Sequence, residues 1–115
     1  MIIKIKNLKL RTIVGIYNWE KDRKQDVIIN IELEVSSEKA LKTDDINDTI
    51  NYKDLNNEII SAVESRKFYL IEKIADTILE IVLKDKRVVK AIVEIDKPGA
   101  LQFSDSVSVI CSRKN

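Results

Sequence analysis

The chain has 115 residues, 44% hydrophobic and 34% charged, a composition typical of one globular domain with a dense charged surface. Its formal net charge is +1, and every cluster of Lys and Arg has acidic neighbours, so no nucleic-acid-binding face is predicted. The only cysteine is Cys111 and there is no histidine, which excludes an internal disulfide and all imidazole chemistry and gives no support for a metal site.

The first half of the chain predicts a long β-hairpin. Hydrophobic residues alternate with Lys and Arg over residues 3–11, with an irregularity near Asn7, and alternate with polar residues over 27–35. Gly15 lies between the two segments and marks a turn or a close approach of the backbone. The two strands are therefore expected to pair with each other.

Two helices are predicted after the polar, turn-rich segment that ends near Tyr52. Asn51 and Asp54 have the spacing of a capping box before the hydrophobic positions of the first helix. Hydrophobic residues recur at intervals of about four over 70–83, which predicts a second helix with one apolar face. That face is expected to cover a sheet.

The last third of the chain predicts a second hairpin, because residues 89–95 and 107–111 alternate on either side of a Pro98-Gly99 turn. The order ββααββ predicts an α+β fold, a four-stranded antiparallel sheet with both helices on one face, over residues 1–115 as a single domain. Ile28, Ile92 and Ile110 interrupt the polar rows. We therefore expect other subunits to cover the outer face or an edge of the sheet.

Three segments carry a resemblance to a known family: DINDTINY at 45–52, FYLIEK at 68–73 and EIDK at 94–97. In this order they resemble the dihydroneopterin aldolase and epimerase family, and the resemblance extends over essentially the whole chain. Within the family, residues 5–12, 94–97 and 104–108 are closest to the dihydroneopterin triphosphate 2′-epimerase branch.

Two segments depart from the aldolase pattern. Val14-Gly15 stands where aldolases usually have His-Gly, and residues 98–103 replace a usual Pro-rich stretch. The resemblance implies the tunnelling fold, in which four ββααββ subunits join their sheets into a barrel and two rings stack as an octamer. It also implies a small reduced pterin as substrate and no cofactor. Because the apolar runs are too short to cross a bilayer and no signal segment is evident, we expect a cytoplasmic protein without membrane contact.

The resemblance assigns the pterin site to the start of the second helix. Glu72 matches the family's anchor, beside Leu70 and Ile71, and a carboxylate can accept paired hydrogen bonds from the ring's amino group and adjacent N–H. Lys97 matches the lysine of proton transfer at the side-chain hydroxyl. By residue type alone, Glu72 is explained by the helix dipole and Lys97 is an exposed strand-end lysine whose removal is structurally mild.

Two further residues are assigned in the same way. Tyr52 matches a tyrosine contributed across a subunit boundary near the reacting carbons, and Glu20 matches a glutamate that orients the substrate side chain or a water. Arg11 is expected from its charge to bind substrate phosphates, with Arg23 and Lys24 as further candidates. The alternatives are a tyrosine that packs its ring at a helix start, an exposed loop carboxylate and a solvated strand arginine.

The implied chemistry is retro-aldol cleavage between the first and second side-chain carbons, with the conjugated imine of the dihydropterin ring as the electron sink. Re-addition to the other face of the aldehyde makes a 7,8-dihydroneopterin triphosphate 2′-epimerase, the leading hypothesis. Protonation instead makes a 7,8-dihydroneopterin aldolase that releases glycolaldehyde and 6-hydroxymethyl-7,8-dihydropterin. A third hypothesis is a non-catalytic oligomeric scaffold that binds pterin.

Overall fold

The predicted α+β fold is confirmed, with four more short elements than the sequence indicates. The computed structural model describes all residues from Met1 to Asn115. In chain order the elements are β1 (Ile2–Val14), a 3-10 turn (Asn18–Glu20), β2 (Lys24–Val35), α1 (Ala40–Thr43), a second 3-10 turn (Ile46–Asp48), α2 (Tyr52–Glu64), β3 (Lys67–Phe68), α3 (Ile71–Val82), β4 (Val88–Pro98) and β5 (Ser106–Lys114).

The sheet has five strands in the order β3-β1-β2-β4-β5, not the four predicted. The two hairpins are antiparallel as expected, and β2 joins them by pairing with β4. The additional strand, β3, runs parallel to β1 and pairs only with Ile13 and Val14. Two residues are too few to show the alternation by which a strand is found in a sequence, which explains why β3 was missed.

A β-bulge between Ile5 and Leu8 confirms the irregularity expected near Asn7. Asn7 has φ 52°, a conformation that asparagine tolerates better than most residues, and its N–H donates to Asn30 Oδ1 at 2.9 Å. The extra residue shifts the alternation by one position. As a result Ile5 and Leu8 both face the helices, although residues three positions apart in a regular strand lie on opposite faces of the sheet.

The helices pack on one face of the sheet and enclose one core of 22 buried hydrophobic residues. The predicted cap of α2 is present, because Asn51 Oδ1 accepts from the Asp54 N–H at 3.2 Å. The other end of α2 is held by buried Thr12, whose hydroxyl donates to Val63 O at 2.8 Å. The longest helix, α2, has 13 residues, and none in the structure has the length and hydrophobicity to cross a membrane.

The outer face and the edge strand β5 carry unpartnered hydrophobic surface. Ile28 and Ile92 are half-buried opposite the helices, and Ile110 on the edge strand β5 is 66% exposed. The radius of gyration is 15.4 Å, whereas a compact domain of this length has about 13 Å. An extended sheet with open edges is the shape of a subunit that pairs with other copies.

We therefore expect the protein to form an oligomer in solution, because a lone subunit would leave these hydrophobic side chains and the N–H and C=O groups of β1 and β5 exposed. Multi-angle light scattering measures the mass directly. A monodisperse species of 13.2 kDa at working concentration would contradict the expectation.

Candidate active site

One cleft of about 410 Å³ gathers five of the seven predicted site residues. Its walls come from the β1–β2 loop, the start of α3 and the β4–β5 hairpin. The predicted residues that line it are Glu20, Leu70, Ile71, Glu72 and Lys97. The fold thus brings together residues that lie up to 77 positions apart in the sequence.

The centre of the cleft is a buried ion pair. Lys97 Nζ donates to Glu20 Oε2 at 2.8 Å, and the two side chains are only 13% and 5% exposed. Gln25 Nε2 donates to the same oxygen at 3.0 Å, and the Tyr17 N–H donates to Glu20 Oε1 at 3.3 Å. The exposed-loop alternative for Glu20 and the exposed strand-end description of Lys97 are therefore both wrong.

Gly15 makes room for this carboxylate. Its φ is +148°, which favours glycine, and a Cβ at this position would lie 2.1 Å from Glu20 Cδ. The Gly15 N–H donates to Phe68 O at 3.1 Å, so the short strand β3 holds the loop in place. The close approach predicted at Gly15 is confirmed, and the group it approaches is the site glutamate.

The environment keeps Glu20 ionised. Burial alone would raise the pKa of Glu20, but the hydrogen bonds donated by Lys97, Gln25 and the Tyr17 backbone together hold that pKa below its ordinary value of 4.5. The cleft therefore contains a carboxylate and an ammonium group in contact, an acceptor and a donor that can exchange a proton with a bound hydroxyl or water.

This lowered pKa predicts a loss of stability in acid. The unfolded chain binds a proton at Glu20 more readily than the folded chain, so the stabilisation by Glu20 is complete above pH 4.5 and is lost as pH falls through the folded pKa. In thermal melts from pH 7 to pH 3, the difference in Tm between wild type and Glu20→Gln should shrink as pH falls. Glu34→Gln, at an exposed position of β2, is the matched control. A difference that is independent of pH would contradict the assignment.

Glu72 lies in the first turn of α3 and is exposed to the cleft, with no hydrogen-bond or ion-pair partner in the chain. Leu70 precedes the helix with an extended backbone and has no side-chain group that could cap it. No side chain therefore accepts a hydrogen bond from the N–H groups at the start of α3. The Glu72 carboxylate lies beside these groups, and its oxygens are available as acceptors. This pairing of donors and acceptors can bind the edge of a flat heterocycle.

Tyr52 and Arg11 lie outside this cleft. Tyr52 begins α2 with 59% of its surface exposed, so its ring does not pack within the subunit as the alternative predicted. Arg11 is on the outer sheet face, where its Nε lies 3.3 Å from Asp26 Oδ1. It lines a second cleft that adjoins the first through Trp19 and Gln25.

Sequence reasoning missed Gln25, which lies on β2 and donates a hydrogen bond to the carboxylate of Glu20 in the cleft. Its Nε2 donates to Glu20 Oε2 and also to Val14 O at 2.8 Å, which links the ends of β1 and β2. Gln25 precedes the alternating segment by two residues and lies between the equally polar Lys24 and Asp26, so the sequence has no signal that distinguishes it.

Comparison with known proteins gives matches over almost the whole chain. Residues 3–112 match the sequence profile described as FolB, dihydroneopterin aldolase. The chain is 43% identical over 111 residues to dihydroneopterin triphosphate 2′-epimerase of Escherichia coli strain K12, which covers 96% of this chain and 92% of that protein.

The chain is also 32% identical over 114 residues to dihydroneopterin aldolase of the same strain, a match that covers 99% of this chain and 93% of that protein. The crystal structure of the Escherichia coli aldolase in complex with neopterin superposes with a TM-score of 0.92 at 32% identity, over 98% of each chain. Sequence and fold therefore agree along the full length.

Proposed function

Because the chain belongs to the dihydroneopterin aldolase family, whose profile spans residues 3–112, we propose that it catalyses 2′-epimerisation of 7,8-dihydroneopterin triphosphate. The family predicted from the sequence is confirmed, and the relatives include both epimerases and aldolases. The observation that carries the proposal is the contact of Lys97 with Glu20 in the same cleft as the unpaired carboxylate of Glu72. The greater identity to an epimerase, 43% against 32%, favours that activity.

In this proposal the start of α3 binds the pterin ring. Glu72 accepts hydrogen bonds from the ring's amino group and adjacent N–H, while the backbone at Leu70 and Ile71 meets the ring's acceptors. A charge-assisted pair of this kind fixes the orientation of a planar ligand. The side chain of the substrate then extends towards Lys97.

The Lys97–Glu20 pair moves the proton of the 2′-hydroxyl, directly or through a water. Loss of that proton turns the second side-chain carbon into an aldehyde as its bond to the first carbon breaks, and the electron pair of that bond moves into the imine of the ring. Re-addition of the first carbon to the other face of the aldehyde gives the 2′-epimer. The substrate thus supplies its own electron sink, and we propose that no cofactor takes part.

In this proposal Tyr52 lies beside the reacting carbons in the cleft of a neighbouring subunit. Tyr52 lies beside the open edge of β1, whereas Val107 and Val109 of the edge strand β5 line the cleft. Pairing β1 of one subunit with β5 of the next would bring Tyr52 to the neighbour's cleft and continue the sheet into a ring. We propose an octamer of two tetrameric rings in the cytoplasm, where Cys111 stays reduced.

The second candidate is 7,8-dihydroneopterin aldolase, favoured by the likeness of fold to an aldolase that binds neopterin. An assay of dihydroneopterin and its triphosphate for both aldehyde release and 2′-inversion separates the two activities. Rapid inversion of the triphosphate is expected. Aldehyde release as the main product would support the aldolase, and pterin binding without either product would support the scaffold.

A further inference from the structure

A third cleft lies at the open edge of β1 and is lined by four lysines. It has a volume of about 430 Å³, and we call it the lysine cleft. Its lining residues are Lys4, Ile5, Lys6, Asn7, Leu8, Lys9, Tyr52, Lys53 and Asn56. No carboxylate is among them, although the chain as a whole carries 19 acidic residues to 20 basic ones. The cleft is therefore a local concentration of positive charge on a nearly neutral protein.

The bulge at Asn7 produces this concentration. Lys4 and Lys6 precede the extra residue and Lys9 follows it, so all three point away from the core along one edge. Lys4 forms an ion pair with Glu32 at 3.4 Å, but Lys6, Lys9 and Lys53 contact no carboxylate. Three ammonium groups are thus free to pair with an anion.

A buried acceptor in the same cleft also lacks a partner. Asn56 Oδ1 is enclosed and accepts no hydrogen bond within the chain. Buried polar oxygens are nearly always hydrogen-bonded, so a donor from elsewhere is expected here. A ligand hydroxyl, or an ammonium group moved by a bound anion, would supply it.

We propose that the lysine cleft binds the phosphate chain of a pterin that is bound to the adjoining subunit. The inference rests on the proposed function, because it needs Tyr52 to stand beside the reacting carbons of the neighbour's substrate. Tyr52 lines the lysine cleft, so a chain of phosphates that continues beyond those carbons enters it. A polyphosphate carries several charges and matches several lysines better than one.

The cleft that contains Arg11 is a weaker site for the same group. Arg11 already contacts Asp26 and donates to Lys24 O at 3.3 Å, and the Asp26 carboxylate lines that cleft. A phosphate there would meet a negative charge and displace an existing ion pair. The lysine cleft presents neither obstacle.

The test uses the assembled wild-type protein and the double variant Lys6→Gln/Lys9→Gln. Calorimetry with inorganic tripolyphosphate should show binding to wild type that is weakened at least about tenfold in the double variant. The ratio of kcat/KM for dihydroneopterin triphosphate to that for dihydroneopterin should fall by a similar factor, through KM. Lys42→Gln/Lys90→Gln removes the same charge elsewhere and should change neither value.

The following results would contradict the proposal or decide it by another measurement. Unchanged tripolyphosphate affinity and an unchanged kcat/KM ratio in Lys6→Gln/Lys9→Gln would overturn it, as would a fall of that ratio in Arg11→Gln alone. If wild type turns over neither pterin, the proposed function fails and tripolyphosphate binding alone decides the cleft. If the double variant does not assemble, Lys53→Gln on α2 tests the same cleft away from the β1 edge.

Discussion

Replacing Lys97 by Ala is expected to lower kcat by about 10²- to 10⁴-fold while pterin affinity changes far less. Lys97 Nζ is the group that can exchange a proton with the substrate hydroxyl, whereas the ring is held by Glu72 at the other side of the cleft. Because both product routes begin with the same bond cleavage, aldehyde release and 2′-inversion should fall together. Single-turnover kinetics with saturating substrate measures the effect.

The buried ion pair makes this substitution less mild than the sequence indicates. Without Lys97, the carboxylate of Glu20 would lie 5% exposed with no charged partner. Breaking a buried pair by removing one partner costs about 3 to 5 kcal/mol, and water entering from the cleft would reduce that cost. A lowered Tm is therefore expected beside the loss of kcat.

A second variant separates catalysis from stability. Glu20→Gln/Lys97→Met removes both charges and keeps most of the side-chain volume, so its Tm should recover towards that of wild type. Its kcat should stay low, because no ammonium group remains at the hydroxyl. Inversion at nearly wild-type rate in either folded oligomer would show that Lys97 does not transfer the proton.

The hairpins and helices could be predicted because their signals are long and local. The alternation over 27–35 spans most of β2, and the repeat over 70–83 covers all of α3. By contrast, β3 and α1 have two and four residues and depend on contacts with β1 and on local turns. Elements of that length have no period that a sequence can display.

The three charged residues of the candidate cleft could be predicted from the sequence, but Gln25 and the geometry of the cleft could not. Resemblance supplied Glu20, Glu72 and Lys97, and the fold places all three in one cleft. Neither the burial of Glu20 nor its contact with Lys97 follows from a charge-rich loop and a strand end 77 residues apart. Those facts depend on the space that Gly15 leaves and on the hydrogen bond from Gln25, which only the folded chain reveals.

Replacing Glu72 by Gln is expected to weaken pterin binding about 10- to 100-fold, which corresponds to the loss of a charge-assisted hydrogen bond worth about 1.5 to 3 kcal/mol. The amide keeps one acceptor but turns an NH₂ group towards the ring's own N–H donors, so one of the two paired contacts becomes a repulsion. The affinity of the assembled protein for neopterin, measured by titration calorimetry, tests this directly. The effect should appear in Kd and KM more than in kcat, because the ring is held equally before and during bond cleavage.

Glu80→Gln is the matched control, since Glu80 is also an exposed glutamate on α3 but lies two turns beyond the cleft. It removes the same charge from the same helix, so any general effect of net charge would be shared by both variants, whereas the helix dipole favours the negative charge of Glu72 in the first turn and not that of Glu80 in the last. If Glu72→Gln bound neopterin as tightly as Glu80→Gln and wild type, Glu72 would be only a favourable residue for the first turn of a helix. A selective loss in Glu72→Gln would mean that its unpaired carboxylate is kept free for the ring, because the helix dipole alone gives no reason for a ligand to depend on it.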